Sequence, residues 1–217
     1  MRTNPFYDAW LFLIGRTSDH ENSGVGWLLT LLFLVLLAAS IWIAVRNWQA
    51  DPGQRTTKHL ATWFMRVMIG SMWYQGSLWK LPLPVSGGFQ GWTQALAENA
   101  AFEIHRWIAK TVFIPLLAII NPLVYLTELS LAVGFILGFL VRPLGVIGMI
   151  FVAHLWLGLY LHPNEWPWLY IFLIFVQGFF VINNAGRSLG LDALLARAPF
   201  APFADDGAIA RLYRKIA

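Results

Sequence analysis

Glu128, His154, Tyr74, Gln75, Lys80 and Arg66 each interrupt a long apolar stretch of the sequence. Polar and ionisable side chains are expensive in hydrocarbon and usually face a bundle interior or a watery cavity. Helical rise puts Glu128 roughly 9 Å from the start of its stretch at Pro122, and His154 roughly 10 Å from the end of its own at Leu161. Tyr74 and Gln75 lie roughly 8 Å inward of Lys80. These four are expected in one layer, with Lys80 at its mouth. Gln177 lies deeper, and Arg66 lies at the opposite level, either inside the bundle or snorkelling to headgroups. A carboxylate and an imidazole at matched depth suit proton exchange at a redox step, such as quinone reduction, which takes up protons with its electrons. The alternative is a structural polar network that holds helices in register.

The elements that must position these groups are membrane helices. Of 217 residues, 58% are hydrophobic and only 12% charged, against about 25% charged in soluble domains. The 12 tryptophans and 16 phenylalanines suit membrane interfaces. Five runs approach the length of about 20 apolar residues that a bilayer needs: Gly26–Val45, Ala61–Leu83, Pro122–Val141, Leu144–Leu161 and Trp166–Ile182. Val112–Ile120 is too short to span and reads as a membrane-dipping lead-in broken at Asn121-Pro122. Pro84–Thr111 reads as one amphipathic helix with Trp92, Leu96, Ile104, Trp107 and Ile108 in a stripe, either a plain anchor or a lid. The N-terminal segment is too short in its apolar part and too acidic at its end for a cleavable signal. It reads as an interfacial helix with Phe6, Trp10 and Leu13 on one side.

Charge orients the spans. With five of them, Arg46, Arg55, Lys58, Arg142, Arg187, Arg197, Arg211, Arg214 and Lys215 share one side, against Arg2, Arg16, Lys80, Arg106 and Lys110 on the other. The positive-inside rule then puts the N-terminus outside and the C-terminus in the cytoplasm. The same accounting turns the net charge of +4 into a topology signal and disfavours nucleic-acid binding. Pro199 and Pro202 interrupt the tail.

The chain has no cysteine, which removes disulfides, thiol redox pairs, Fe–S clusters and covalently attached haem. His154 is the only histidine well inside a run; His20, His59, His105 and His162 fall outside. A bis-histidine haem therefore lacks its second ligand. No spacing suits zinc or copper. No intrinsic metal or haem is expected.

The order of motifs resembles the DoxX/DoxD-like integral membrane proteins. Arg66-x3-Gly70, Gly76 and Lys80-Leu81 look like the family's first core helix. Asn121-Pro-Leu-Val-Tyr-Leu-Thr-Glu128, Gly134, Gly138 and Arg142 are similar to its second. Ala185-Gly-Arg187-Ser-Leu-Gly-Leu-Asp192 resembles its closing motif. The resemblance implies an all-α four-helix membrane bundle over 61–195. Added to it would be an extra N-terminal transmembrane helix and loop (26–60), an interfacial segment (1–25), an outer amphipathic helix and a cytoplasmic tail (196–217). Members include the DoxD subunit of thiosulfate:quinone oxidoreductase in bacterial and archaeal cytoplasmic membranes. The physical reading of Gly134 and Gly138 is a small-x3-small packing face, with Gly145 and Gly148 doing similar work.

Two functions follow as expectations. In the first, the chain is a quinone-linked oxidoreductase subunit. Glu128 and His154 then exchange protons, with Tyr74, Gln75, Trp79 and Trp156 around the quinone, Trp73 in its wall, and Lys80, Arg106 and Lys110 drawing an anionic donor such as thiosulfate. In the second, it is a non-catalytic anchor for other membrane or outer-face subunits. A transporter fits less well, because the sequence has no inverted repeat and no polar line through the membrane.

Overall fold

The computed structural model describes residues 4–13, 26–197 and 207–217. Arg2, Arg16, Asp19, His20, Glu21, Pro199 and Pro202 lie outside the described residues, as does the Leu13 side chain. The described residues form helices α1 (Pro5–Leu13), α2 (Gly26–Ala50), α3 (Thr57–Leu78), α4 (Gly87–Asn99), α5 (Glu103–Ile108), α6 (Leu117–Leu137), α7 (Val141–Gly158), α8 (Pro167–Ile182), α9 (Leu191–Arg197) and α10 (Ala208–Ile216). No strand occurs among them. Three helices, α2, α6 and α7, are long and apolar enough to cross a membrane. α8 is apolar but shorter.

Local chemistry sets the boundaries. Thr56 and Ser86 accept the His59 and Phe89 backbone N–H groups and start α3 and α4. Pro167 opens α8, where a missing N–H costs nothing. Gly138 ends α6 in the left-handed conformation, φ 75°. The expected break at Asn121-Pro122 does not occur: α6 starts at Leu117 and runs through Pro122. The break falls earlier, where a π-helical turn (Ala109–Phe113) meets Pro115 and Leu116 leaves helical geometry. The outer segment is two helices rather than one, because the chain is extended at Ala100. Its expected stripe divides: Leu96 is buried while Ile104 and Trp107 face outward.

α3 packs chiefly on α6, and α7 on α8. A Cβ at Gly70 would collide with Ile136 of α6, and one at Gly145 with Val181 of α8, so these glycines allow the close approaches. α2 packs its buried Leu29, Phe33 and Leu36 against α3 and α6 and is tied by polar bonds to α3, α6 and the residue before α9. The Tyr74 hydroxyl donates to Leu29 O (2.6 Å), Ser40 to Ile136 O (2.5 Å), and Asn47 to Gly190 O (3.0 Å). The hydroxyls of Thr127 and Ser130 turn back onto carbonyls of their own helix, as a lipid-facing hydroxyl must.

One end of the bundle is closed by charge. Arg66 is fully buried and donates to Phe135 O (2.5 Å), Ile136 O (3.3 Å) and Ser188 O (3.4 Å). It therefore does not snorkel. Asp192 accepts the N–H groups of Leu140 (2.9 Å) and Val141 (3.3 Å) and the Tyr213 hydroxyl (2.7 Å). A cation thus meets the carbonyl end of α6 and a carboxylate meets the N–H end of α7, both in the favourable sense of the helix dipole. Gly138 is not part of a packing face with Gly134. It is the turn residue between these two ends, because only glycine is at ease at that φ.

A Cβ at Gly138 would stand 2.5 Å from Arg66 Nη1 and 2.6 Å from Gly190 Cα. Gly138→Ala is expected to cost about 2 kcal/mol from backbone strain and displacement of Arg66. Unfolding of the purified protein in detergent measures this, and an unchanged midpoint would refute the role given to this turn.

Candidate functional site

The opposite end holds a cavity of about 710 Å³ between the α3–α6 and α7–α8 pairs. α4 roofs it. Two backbone bonds fasten the roof to α7 and the following turn: Ala101 N–H to Leu157 O (2.8 Å) and Leu161 N–H to Asn99 O (2.9 Å). Gly158 makes room for the roof, since a Cβ there would overlap Leu96. Ser86 also donates to Trp79 O (2.9 Å), tying the start of α4 to the end of α3.

The walls are mainly aromatic and aliphatic: Trp79, Phe89, Trp92, Phe113, Phe151 and Tyr170, with Ile120, Leu123 and Val124 of α6. Leu123 lines the cavity and is also 57% exposed on the flank of the bundle. The cavity rim therefore reaches the apolar flank beside α6. Gly88, Trp92 and Glu165 border both this cavity and a shallower groove on the roof.

Into this apolar space projects a buried ion pair. Lys80 Nζ lies 2.5 Å from Glu128 Oε2, and both side chains are nearly inaccessible. Lys80 also donates to Gly76 O (2.6 Å) and stands 3.7 Å over the Trp79 ring. The Asn121 amide holds the following bend by donating to Lys80 O (3.0 Å) and Pro84 O (2.9 Å). The lysine sits just past the end of α3, where its side chain folds back along the helix to reach the carboxylate one helix away.

His154 forms another part of the wall. Its ring stacks on His105 of α5 at 4.7 Å and 17°, with Phe113 edge-on at 5.4 Å. His105 Nε2 is buried without a hydrogen-bond partner. Burial holds the His105 imidazole below its ordinary value. Across the cavity Tyr170 donates to Glu165 (2.7 Å). Among the described residues no group of three or more histidine and carboxylate side chains stands close enough to hold a metal ion.

The structure brings Glu128, His154, Trp79 and Lys80 to one cavity. Lys80 is drawn inward rather than open at the mouth, because Glu128 neutralises it. Tyr74 and Gln75 are buried but not in the wall; Tyr74 points the other way, against Phe33 of α2 at 5.4 Å. Trp73 packs on Phe151 from behind the wall. Trp156 meets Tyr160 and is not a wall residue. Arg106 and Lys110 also lie away from the wall. Arg106 donates to Ala100 O (2.9 Å) and pairs with Glu103, and Lys110 is exposed. Arg142 and Arg187 belong to the closed end, where they donate to Lys215 O (3.3 Å) and Arg214 O (2.9 Å). Sequence reasoning missed His105, Phe113, Glu165 and Tyr170. The Glu165–Tyr170 spacing beside Pro167 was the available signal for the last two.

No protein-family model, curated protein or solved structure matches the chain.

Two outcomes follow from this geometry. Lys80→Met leaves a buried carboxylate alone and is expected to cost about 3 kcal/mol, most of it recovered in Lys80→Met/Glu128→Gln; unfolding midpoints of the two variants decide. A depressed histidine binds fewer protons folded than unfolded, so stability is full above the ordinary imidazole value and falls as pH drops through about 6.5. His105→Phe should make that acid limb shallower, which unfolding midpoints from about pH 8 to about pH 5 will record.

Proposed function

We propose that the chain is a membrane subunit of a quinone-linked oxidoreductase and that the cavity is its quinone site. The observation that carries this reading is the Lys80–Glu128 pair set into an apolar cavity whose rim reaches the bundle flank at Leu123. A volume of about 710 Å³ lies within the range of small-molecule sites, roughly 300–1,000 Å³. A ligand entering from the flank would arrive from lipid, which suits a long-tailed molecule with a compact polar head.

The ion pair is electrically neutral. It offers a carbonyl oxygen a donor at Lys80 and a proton-exchanging carboxylate at Glu128. It offers a dianion no net charge. An anionic donor such as thiosulfate therefore fits this cavity poorly and belongs at the outer surface or on a partner. The quinone supplies the redox chemistry, accepting two electrons and two protons. Lys80 orients its carbonyl, the Glu128 carboxylate takes up each of the two protons in turn from the water side and passes it to the quinone oxygen, and the aromatic walls exclude bulk water. His154, stacked with His105 beneath the outer surface, is the next group on the water side and passes protons on through its neutral ring rather than storing them. The electrons come from a donor on another subunit or at the outer face.

In this reading α2, α3, α6, α7 and α8 all cross a bacterial or archaeal cytoplasmic membrane, with the N-terminus outside and the C-terminus in the cytoplasm. The DoxX/DoxD-like resemblance supports both the bundle and the redox setting. A second reading, a non-catalytic anchor subunit, is favoured by the exposed aromatics Phe6, Tyr7 and Trp10 on α1 and Trp107 on α5, which offer docking surface.

Purification in mild detergent, with mass spectrometry of co-eluting chains and extraction of quinone, separates the two. The first reading expects quinone in the preparation and a loss of roughly 100-fold in quinone reduction for Glu128→Gln with the complex intact. Absence of quinone beside a stoichiometric cofactor-bearing partner would favour the anchor. Unchanged turnover in Glu128→Gln, with thiosulfate or any other donor, would remove the first reading.

A further inference from the structure

The C-terminal helix α10 divides into three stripes at about 100° per residue. Ala210, Tyr213 and Ala217 are buried against the closed end of the bundle. There Tyr213 donates to Asp192 and its ring stacks on Phe139 at 6.3 Å. Arg187 and Arg142 reach across to the last carbonyls of α10, at Arg214 and Lys215. The helix is therefore fixed in orientation from both its side and its end.

That orientation leaves a second stripe, Ile209, Leu212 and Ile216, exposed at 69%, 59% and 37%. The third stripe, Arg211, Arg214 and Lys215, is cationic and exposed. The apolar stripe thus has the protein on one side and positive charge on the other. α7, to which α10 is bonded through Arg142, carries exposed Val146 and Ile147 one turn further along. Arg142 thus ties α10 to a helix whose exposed apolar flank is the surface that lipid would cover.

We propose that α10 is a docking surface for anionic phospholipid headgroups in the leaflet at the closed end of the bundle. The stripe Ile209, Leu212 and Ile216 enters the boundary between headgroups and acyl chains, and Arg211 and Lys215 engage lipid phosphates. Charge complementarity selects an anionic lipid over a zwitterionic one. Because Asp192 also accepts the N–H groups that start α7, lipid held at α10 is coupled to the turn that joins the two helix pairs. This proposal does not rest on the quinone reading.

The test uses the full chain in mild detergent with equal amounts of phosphatidylglycerol and phosphatidylcholine, and native mass spectrometry to count retained lipid. The unaltered chain should retain phosphatidylglycerol preferentially. Arg211→Gln/Lys215→Gln should lower its retention roughly fivefold per charge and leave phosphatidylcholine unchanged. The charge-preserving Arg211→Lys/Lys215→Arg should keep the preference, and its circular dichroism and that of the Gln variant should match the unaltered chain. Equal retention of the two lipids by the unaltered chain would overturn the proposal, as would a Gln variant with undiminished preference. Complete displacement of phosphatidylglycerol by inorganic phosphate at matched concentration would overturn it too, by showing a site for free anions.

Discussion

Arg66 and Asp192 are two opposite charges placed where two helix ends meet. Every helix end leaves backbone groups without partners, and in hydrocarbon these have no water to turn to. The carbonyls at the end of α6 receive the Arg66 guanidinium, and the N–H groups at the start of α7 receive the Asp192 carboxylate. Gly138 turns the chain between them. The pairings come from far apart in sequence, so satisfying one turn also fixes α3, the Ala185–Ser188 stretch and α9. The α2–α3 connection joins the same cluster: Gln54 accepts the Leu189 N–H (2.7 Å), His59 meets Ser188 (2.9 Å), and Arg197 pairs with Asp51.

With that end closed, polar material at the other end is free to serve chemistry. The Lys80–Glu128 pair does little for stability that apolar side chains would not do as well, since desolvating two charges offsets most of their attraction. Its retention inside an aromatic cavity is the reason a binding role is preferred over a structural one. The same reasoning weakens the case for Arg66 as a ligand group, because each of its contacts answers a backbone need.

The helical runs were legible from the apolar pattern along the chain, and the shared level of Glu128 and His154 from helical rise; the level of Lys80 was not, because its side chain folds back from the expected mouth onto Glu128. Nor was azimuth. Gly76 and Lys80 lie four residues apart and share a face of the chain. Tyr74 lies two residues before Gly76, at about 200° around the helix, and so faces α2. His105 escaped notice because Pro84–Thr111 read as one surface helix. The extended Ala100 redirects α5 and swings that imidazole onto His154. Pro122 misled in the opposite way: a proline costs one helix bond, and α6 absorbs it while Asn121 beside it makes two bonds to the α3–α4 connection.

The tight α3–α6 and α7–α8 pairs are joined at Gly138, and at the far end of α7 the cavity lies between them, bridged by α4. α7 has 18 residues, a span of about 27 Å from the turn to the rim. Over that length a difference of about 5° in the angle at the turn corresponds to about 2 Å at the rim. By that leverage the angle held at the turn contributes to the width of the cavity, although Arg66, Gly138 and Asp192 do not line it.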